Sequence, residues 1–222
     1  MHVKGICKRY QIIRRTIRRE MGIVYIAMLL IQFVVLPVLL AIILKDGRLD
    51  FYEKYEKFLI AAQTILPMLS AFWMIFSSYD WTESAGRELY FLYMKKPERV
   101  AFYYAGMFHI GQLLSYVIYG KLLRGFFYEY VRISAACVLF QGIGLCAMYL
   151  FRSQIVSCFL IVFYTMYSYV CFEQGSRHSF GYFAAMPESI RSDYRRALLL
   201  GAGGIGFWLV GMILIKSTGR RH

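Results

Sequence analysis

The chain has 222 residues, 59% of them hydrophobic and 18% charged, with a formal net charge of +13. Soluble domains run at about 45–50% apolar and about 25% charged. The apolar residues here also gather into runs of about 20, enough to cross a hydrocarbon core, so an ordinary soluble domain is excluded. The bases sit at the ends of these runs and in the N-terminal tail, which argues against nucleic acid as a partner and for membrane orientation and contacts to anionic lipid headgroups.

Residues 2–20 hold seven bases and one acid. Ile6, Tyr10, Ile13 and Ile17 recur at spacings of 4, 3 and 4, one face of a helix, while Lys4, Lys8, Arg15, Arg18 and Arg19 fall largely elsewhere. The pattern predicts a basic amphipathic helix in the membrane interface, anchored by Arg14, Arg15, Arg18 and Arg19. The first apolar run is far longer than a signal-peptide core, so we expect no cleaved signal. The basic flank places the N-terminus in the cytoplasm of a multi-pass plasma-membrane protein.

The fold expected is an all-α polytopic membrane protein, a single transmembrane domain over residues 1–222 with six spans. These are 21–44, 58–79, 101–119, 131–151, 154–172 and 197–215. The first is uncharged and contains Pro37, which should kink it. Lys45–Lys57, with four bases and four acids, reads as a polar loop, and Pro67 lies inside the second span. The third span is less apolar and holds His109, Gln112 and Ser115. Gly120–Arg132 reads as an interfacial connection, Arg152–Ser153 as a tight turn, and 173–196 as a polar extracellular loop. In the glycine-rich last span, Ala202 and Gly206 form a small-x-x-x-small pair suited to close helix approach. Six spans place 15 bases inside and 11 outside; a re-entrant 101–119, giving five, would place 18 and 8. Six are expected because 101–119 is long enough to cross and the basic N-terminal flank dominates orientation.

Five cysteines, Cys7, Cys137, Cys146, Cys158 and Cys171, form no C-x-x-C pair. Four lie in apolar runs as small packing residues, and a bridge between Cys137 and Cys171 stays open. There is no G-x-x-x-x-G-K-[ST], so no P-loop is expected on this chain, and neither H-E-x-x-H nor G-x-S-x-G occurs. His178, Glu173 and Glu188 share the long polar loop, but no ligand spacing supports a metal site. His109 is the one titratable group deep in an apolar run; such a histidine more often hydrogen-bonds a neighbouring helix than relays protons. With Gln32, Gln63, Gln112 and Gln141 it supplies the polar points inside the spans, the candidate lining of a pathway.

Between the second and third spans, residues 80–99 carry four acids and four bases. Asp80 and Glu83 form a capping-box-like start, and Trp81, Ala85, Leu89 and Leu92 follow at helical spacing. Glu83 and Arg87 make an i,i+4 pair with the acid first, and Pro97 ends the helix. Gly86 costs about 1 kcal/mol within a helix or marks a break between two short ones. The apolar ridge with mixed charge suits docking in a groove on another protein, the bland reading being a helix resting on the bilayer.

This layout resembles the type-2 ABC exporter permeases: a basic amphipathic helix, two spans, a cytoplasmic coupling segment reading roughly E-x-x-G-T-x-E-L-L-x-x-L-P, then four more spans with a polar re-entrant stretch before the last. Glu83, Gly86, Glu88, Leu89, Leu92 and Pro97 stand at corresponding places, with Gly86 and Glu88 two apart where the family commonly has three and Arg87 where threonine is usual. The resemblance implies a permease that pairs with a second permease subunit, identical or related. It also implies that the permease couples through Glu83, Gly86, Arg87, Glu88, Leu89 and Leu92 to a separate ATP-binding subunit. ATP and Mg2+ would be bound on that partner, with no cofactor and no catalysis on this chain. Residues 173–196 would match the re-entrant helices capping the pathway, and the cargo would be a peptide, a drug-like amphiphile or a lipid. Two other classes stay open: a non-transporting membrane assembly or sensing protein, and an intramembrane enzyme acting through His109 or Glu173.

Overall fold

A computed structural model describes residues 22–82, 97–123, 125–173 and 190–219, and among them there is helix and no strand. The interfacial helix expected at 2–20, with Arg14, Arg15, Arg18 and Arg19, lies outside the described residues. So do the coupling residues Glu83, Gly86, Arg87, Glu88, Leu89 and Leu92, and most of the loop expected at 173–196, including His178 and Glu188.

The first span is built from α1 (Gly22–Leu30), a π-helical turn (Ile31–Val35) and α2 (Leu36–Lys45). Proline has no N–H and its ring clashes with the carbonyl four residues back; for Pro37 that is Phe33, inside the wide turn. At Pro37, where a kink was expected, the structure shows a π turn just upstream. The same turn explains the burial pattern. Met28, Gln32, Leu36 and Leu40 are all buried, a strict four-residue repeat that would drift about 40° per step around an α-helix. A wider turn takes up that drift and keeps all four on one side.

α3 (Phe51–Ser77) starts seven residues before the expected 58, which corrects the reading of 45–57 as loop throughout. The cause is a complete capping box: the Glu53 N–H donates to Asp50 Oδ1 at 2.7 Å, and the Asp50 N–H donates to Glu53 Oε2 at 3.1 Å. Lys54 Nζ then donates to the Leu44 carbonyl at 3.1 Å, closing the hairpin between the first two spans. Pro67 sits within α3, which continues past it to Ser77. The helical turn α4 (Tyr79–Thr82) includes Asp80 in its backbone, while Glu83, its expected capping partner, lies outside the described residues.

α5 (Pro97–Leu122) opens on Pro97, a favoured first helical position. It runs antiparallel to α3 along most of its length: the Trp73 indole donates to the Tyr104 carbonyl at 2.9 Å near one end, and the Phe58 and Tyr119 rings meet at 5.4 Å near the other. A short 3-10 turn (Phe126–Glu129) leads into α6 (Tyr130–Phe151), which runs parallel to α3. α7 (Gln154–Glu173) follows after a two-residue turn in which Arg152 adopts φ 50°, left-handed. α8 (Ile190–Gly219) lies parallel to α6.

The α6–α8 contact depends on glycine at Gly142 and Gly204. A Cβ on Gly204 would stand 2.6 Å from Leu139 N, and one on Gly142 would stand 2.8 Å from the Gly204 carbonyl. The pair expected to permit close approach, Ala202 with Gly206, is not the one used. Both face outward, and Gly206 has no neighbour within 4 Å of a Cβ position. The expected face was displaced because the small residues at 201–206 surround the helix, and only packing selects among them.

Among the described residues, five helical segments are long and apolar enough to cross a membrane: Ile26–Lys45, Phe51–Ser77, Tyr130–Phe151, Gln154–Cys171 and Ala197–Lys216. α5 has 26 residues, about 39 Å of helix, but is the less apolar one. Cys137 and Cys171 are free thiols, so the bridge left open between them is not formed.

Candidate functional site

The interior of α3, α5 and α6 carries a file of polar side chains. It starts at the α5–α6 connection. Gly125, at φ 88°, takes a left-handed conformation that reverses the chain and sends Phe126 inward. The Phe126 ring packs at 4.8 Å from Phe58, 5.5 Å from Tyr55 and 5.6 Å from Tyr116. Behind it Glu129 and Arg132 form an ion pair one turn apart, and each is only 5% exposed. The Tyr55 hydroxyl donates to Glu129 Oε1 at 3.1 Å. These two charges were expected in an interfacial connection; the structure instead folds them into the bundle, beneath an aromatic collar.

Tyr116 comes next. It is fully buried, its ring contacts Tyr119, Phe126 and Tyr130, and its hydroxyl has no hydrogen-bond partner. Cys137, Glu129 and Arg132 all lie within its electrostatic reach. One turn further along α5, Gln112 faces Cys137. Ser70 Oγ lies 2.7 Å from the Pro67 carbonyl and 3.1 Å from that of Cys137, tying α3 to α6 at this level.

The file ends at His109 and Gln141. His109 Nδ1 is 3.1 Å from Gln112 Oε1. A carbonyl oxygen only accepts, so the tautomer that makes this bond carries its proton on Nδ1. Gln141 approaches His109 from α6 but falls short of hydrogen-bond geometry. Neither amide atom of Gln141, nor Gln112 Nε2, nor His109 Nε2, has a hydrogen-bond partner. Arg132 and Gln141 stand nine residues apart on α6, about 14 Å of rise and half a turn of rotation, so the ion pair and the His109 group leave α6 on different faces. A buried polar group left unpaired costs about 1–3 kcal/mol, so four such atoms and the Tyr116 hydroxyl on one interior face form a concentrated polar site in an apolar bundle.

Three of the five candidate pathway residues, His109, Gln112 and Gln141, are thus brought together. Gln32 is not with them. Its side chain lies against Gly111, 3.5 Å from where a Cβ would stand. Two residues along a helix turn it by about 200°, so this is the flank of α5 away from His109. Gln63 is buried on α3, seven residues and so two turns before Ser70 on the same face. The Glu129–Arg132 pair was overlooked as a site residue, although E-x-x-R at helical spacing was there to see. Among the described residues no three His, Cys, Asp or Glu side chains group as metal ligands. No protein-family model, curated protein or solved structure matches the chain.

Proposed function

We propose that this chain is the transmembrane subunit of an ATP-driven exporter of the type-2 ABC kind. The observation that carries the reading is that Thr82, at the end of α4, and Pro97, at the start of α5, lie at the same end of two antiparallel helices packed side by side. In sequence these two ends are joined by the charged residues 83–96, and a soluble subunit docked there could press on two spans at once. The antiparallel run of α5 along α3 supports counting it as a sixth crossing. With six crossings both termini lie on one side, the cytoplasmic side of the plasma membrane under the positive-inside rule.

On this reading Glu83, Gly86, Arg87, Glu88, Leu89 and Leu92 dock on a separate ATP-binding chain that holds ATP and Mg2+. Arg14, Arg15, Arg18 and Arg19 hold the N-terminal segment to anionic headgroups, a second permease subunit completes the complex, and the cargo is a peptide, drug-like amphiphile or lipid. This chain transmits force and breaks no bond. The test is purification of the tagged chain from its native membrane, with mass spectrometry of what accompanies it and an ATPase assay. An ATPase carrying a P-loop should co-purify. Leu89→Asp and Glu88→Lys should each abolish stimulation of its activity while membrane insertion persists. Unchanged partner binding and activity in both variants would overturn the coupling role, and absence of any ATP-binding partner would point to an assembly or sensing protein.

A further inference from the structure

The first span carries two helical registers in one sequence. Met28, Gln32, Leu36 and Leu40 form its buried side, and the π turn is what lets a strict four-residue repeat do so. Leu29 and Phe33, both half-buried, offer a second set. Leu29, Phe33, Leu36 and Leu40 recur at spacings of 4, 3 and 4, the pattern of an unbroken α-helix, and all four are apolar. The observed register is the one that puts an amide into the interface. Gln32 is 3% exposed, its Nε2 has no hydrogen-bond partner, and its Oε1 lies 3.5 Å from where a Gly111 Cβ would stand.

The backbone bonding shows what holds this register. In an α-helix the Gln32 carbonyl accepts from the Leu36 N–H; here that N–H donates to the Ile31 carbonyl, five residues back. Five residues on from Gln32 stands Pro37, which has no N–H to give. Neither kind of helical bond is left for the Gln32 carbonyl, and the Tyr119 hydroxyl of α5 donates to it at 2.7 Å. We propose that the π turn is a two-position hinge latched by Tyr119. On release, the Leu36 N–H passes from the Ile31 carbonyl to that of Gln32, and the turn closes to α. Each residue before the turn then takes the place of the one preceding it. Phe33 enters the buried place of Gln32, Leu29 that of Met28, Gln32 the half-buried place of Ile31, and Met28 the exposed place of Ala27. α1 turns by about 100° against α2 and shifts by about 1.5 Å along its axis, one residue of helix. The last turn of α5 thereby sets the orientation of α1, a two-state element of the kind that switches use. The inference is independent of the exporter reading, since it needs neither a partner ATPase nor a cargo.

Methionine methyls read the register. The full-length chain, isotopically labelled at these methyls, is placed in lipid nanodiscs, and broadening by a nitroxide carried on a lipid acyl chain is measured by NMR. Met74, fully buried, and Met166, 62% exposed, mark the shielded and lipid-facing limits. Met28, 5% exposed, should lie near the Met74 limit in the native chain. Tyr119→Phe opens the latch and should raise the broadening of Met28 several-fold, toward Met166, while Met74 stays shielded and reports an intact fold. Deleting Val34 removes the extra residue, so that Met28, Gln32, Leu36 and Leu40 themselves fall at 4, 3 and 4 in a plain α-helix. Made together with Tyr119→Phe, the deletion should return Met28 to the Met74 level. Phe33→Gln, which puts an amide into the second register, should do the same without a deletion. Met28 as shielded in Tyr119→Phe as in the native chain would overturn the latch. Broadening of Met28 that neither second change reverses would mean general loosening and would overturn the two registers.

Discussion

The Tyr119 hydroxyl donates a hydrogen bond of 2.7 Å to the Gln32 carbonyl. It joins the last turn of α5 to the π turn of the first span, where the regular helical bonding is rearranged. Tyr119→Phe should therefore lower stability by about 1 kcal/mol, the usual net worth of one intramolecular hydrogen bond. Thermal unfolding of the purified protein in detergent measures it, with Tyr52→Phe, an exposed ring, as the neutral comparison.

The Glu129–Arg132 pair predicts a non-additive result. Removing one partner strands a buried charge and costs about 3–5 kcal/mol, whereas replacing both with apolar residues of similar size is often neutral. Glu129→Leu and Arg132→Met should each be strongly destabilising, and the double variant should recover most of the loss. A double-mutant cycle by unfolding checks this, and simple additivity would show that the pair is not coupled.

Two glycines on one helix should respond oppositely. Gly204→Ala places a methyl carbon 2.6 Å from Leu139 N, and backbone there has nowhere to move without parting α8 from α6. The expected loss is about 1–3 kcal/mol, as for overpacked cores. Gly206→Ala meets nothing within 4 Å and should be neutral or slightly stabilising. Equal effects at both positions would mean that the α6–α8 contact is not the tight one.

The cap of α3 gives a fourth prediction. Asp50→Ala removes the acceptor of the Glu53 N–H and should cost about 1 kcal/mol. The loss should appear first as faster amide exchange over residues 51–55, measured by hydrogen–deuterium exchange with mass spectrometry.

The crossing of α5 is tested by sidedness. With six crossings, a cysteine introduced at Thr218 should react only with reagent supplied on the side of the N-terminus. Reaction from the opposite side would reduce the count to five.

Much of this fold is legible in the sequence because a span needs only length and apolarity. Each apolar run expected lies largely within a helix, and the runs ending at Phe151 and beginning at Gln154 were bounded by Arg152 and Ser153 themselves. The polar points His109, Gln112 and Gln141 were also visible, since a polar side chain in an apolar run stands out. That they meet was not visible, because Gln141 reaches His109 only through the pairing of α5 with α6. The burial of Glu129 and Arg132 was hidden for a related reason. Charges at the edge of an apolar run look interfacial, and what encloses these two is Tyr55, 74 residues away from Glu129. Asp50 and Glu53 were readable as a capping box, but the acids and bases at 53–57 gave that stretch the composition of a loop.

The Arg152–Ser153 turn constrains how the protein enters a membrane. Two residues reach about 7 Å fully extended, against a hydrocarbon core of about 30 Å, so the end of α6 and the start of α7 cannot be parted across the bilayer. Whatever machinery inserts them must deliver both as one hairpin, and orientation becomes a property of the pair. A charge added beside Arg152 therefore cannot invert one helix alone: it leaves both as they are, or it turns both.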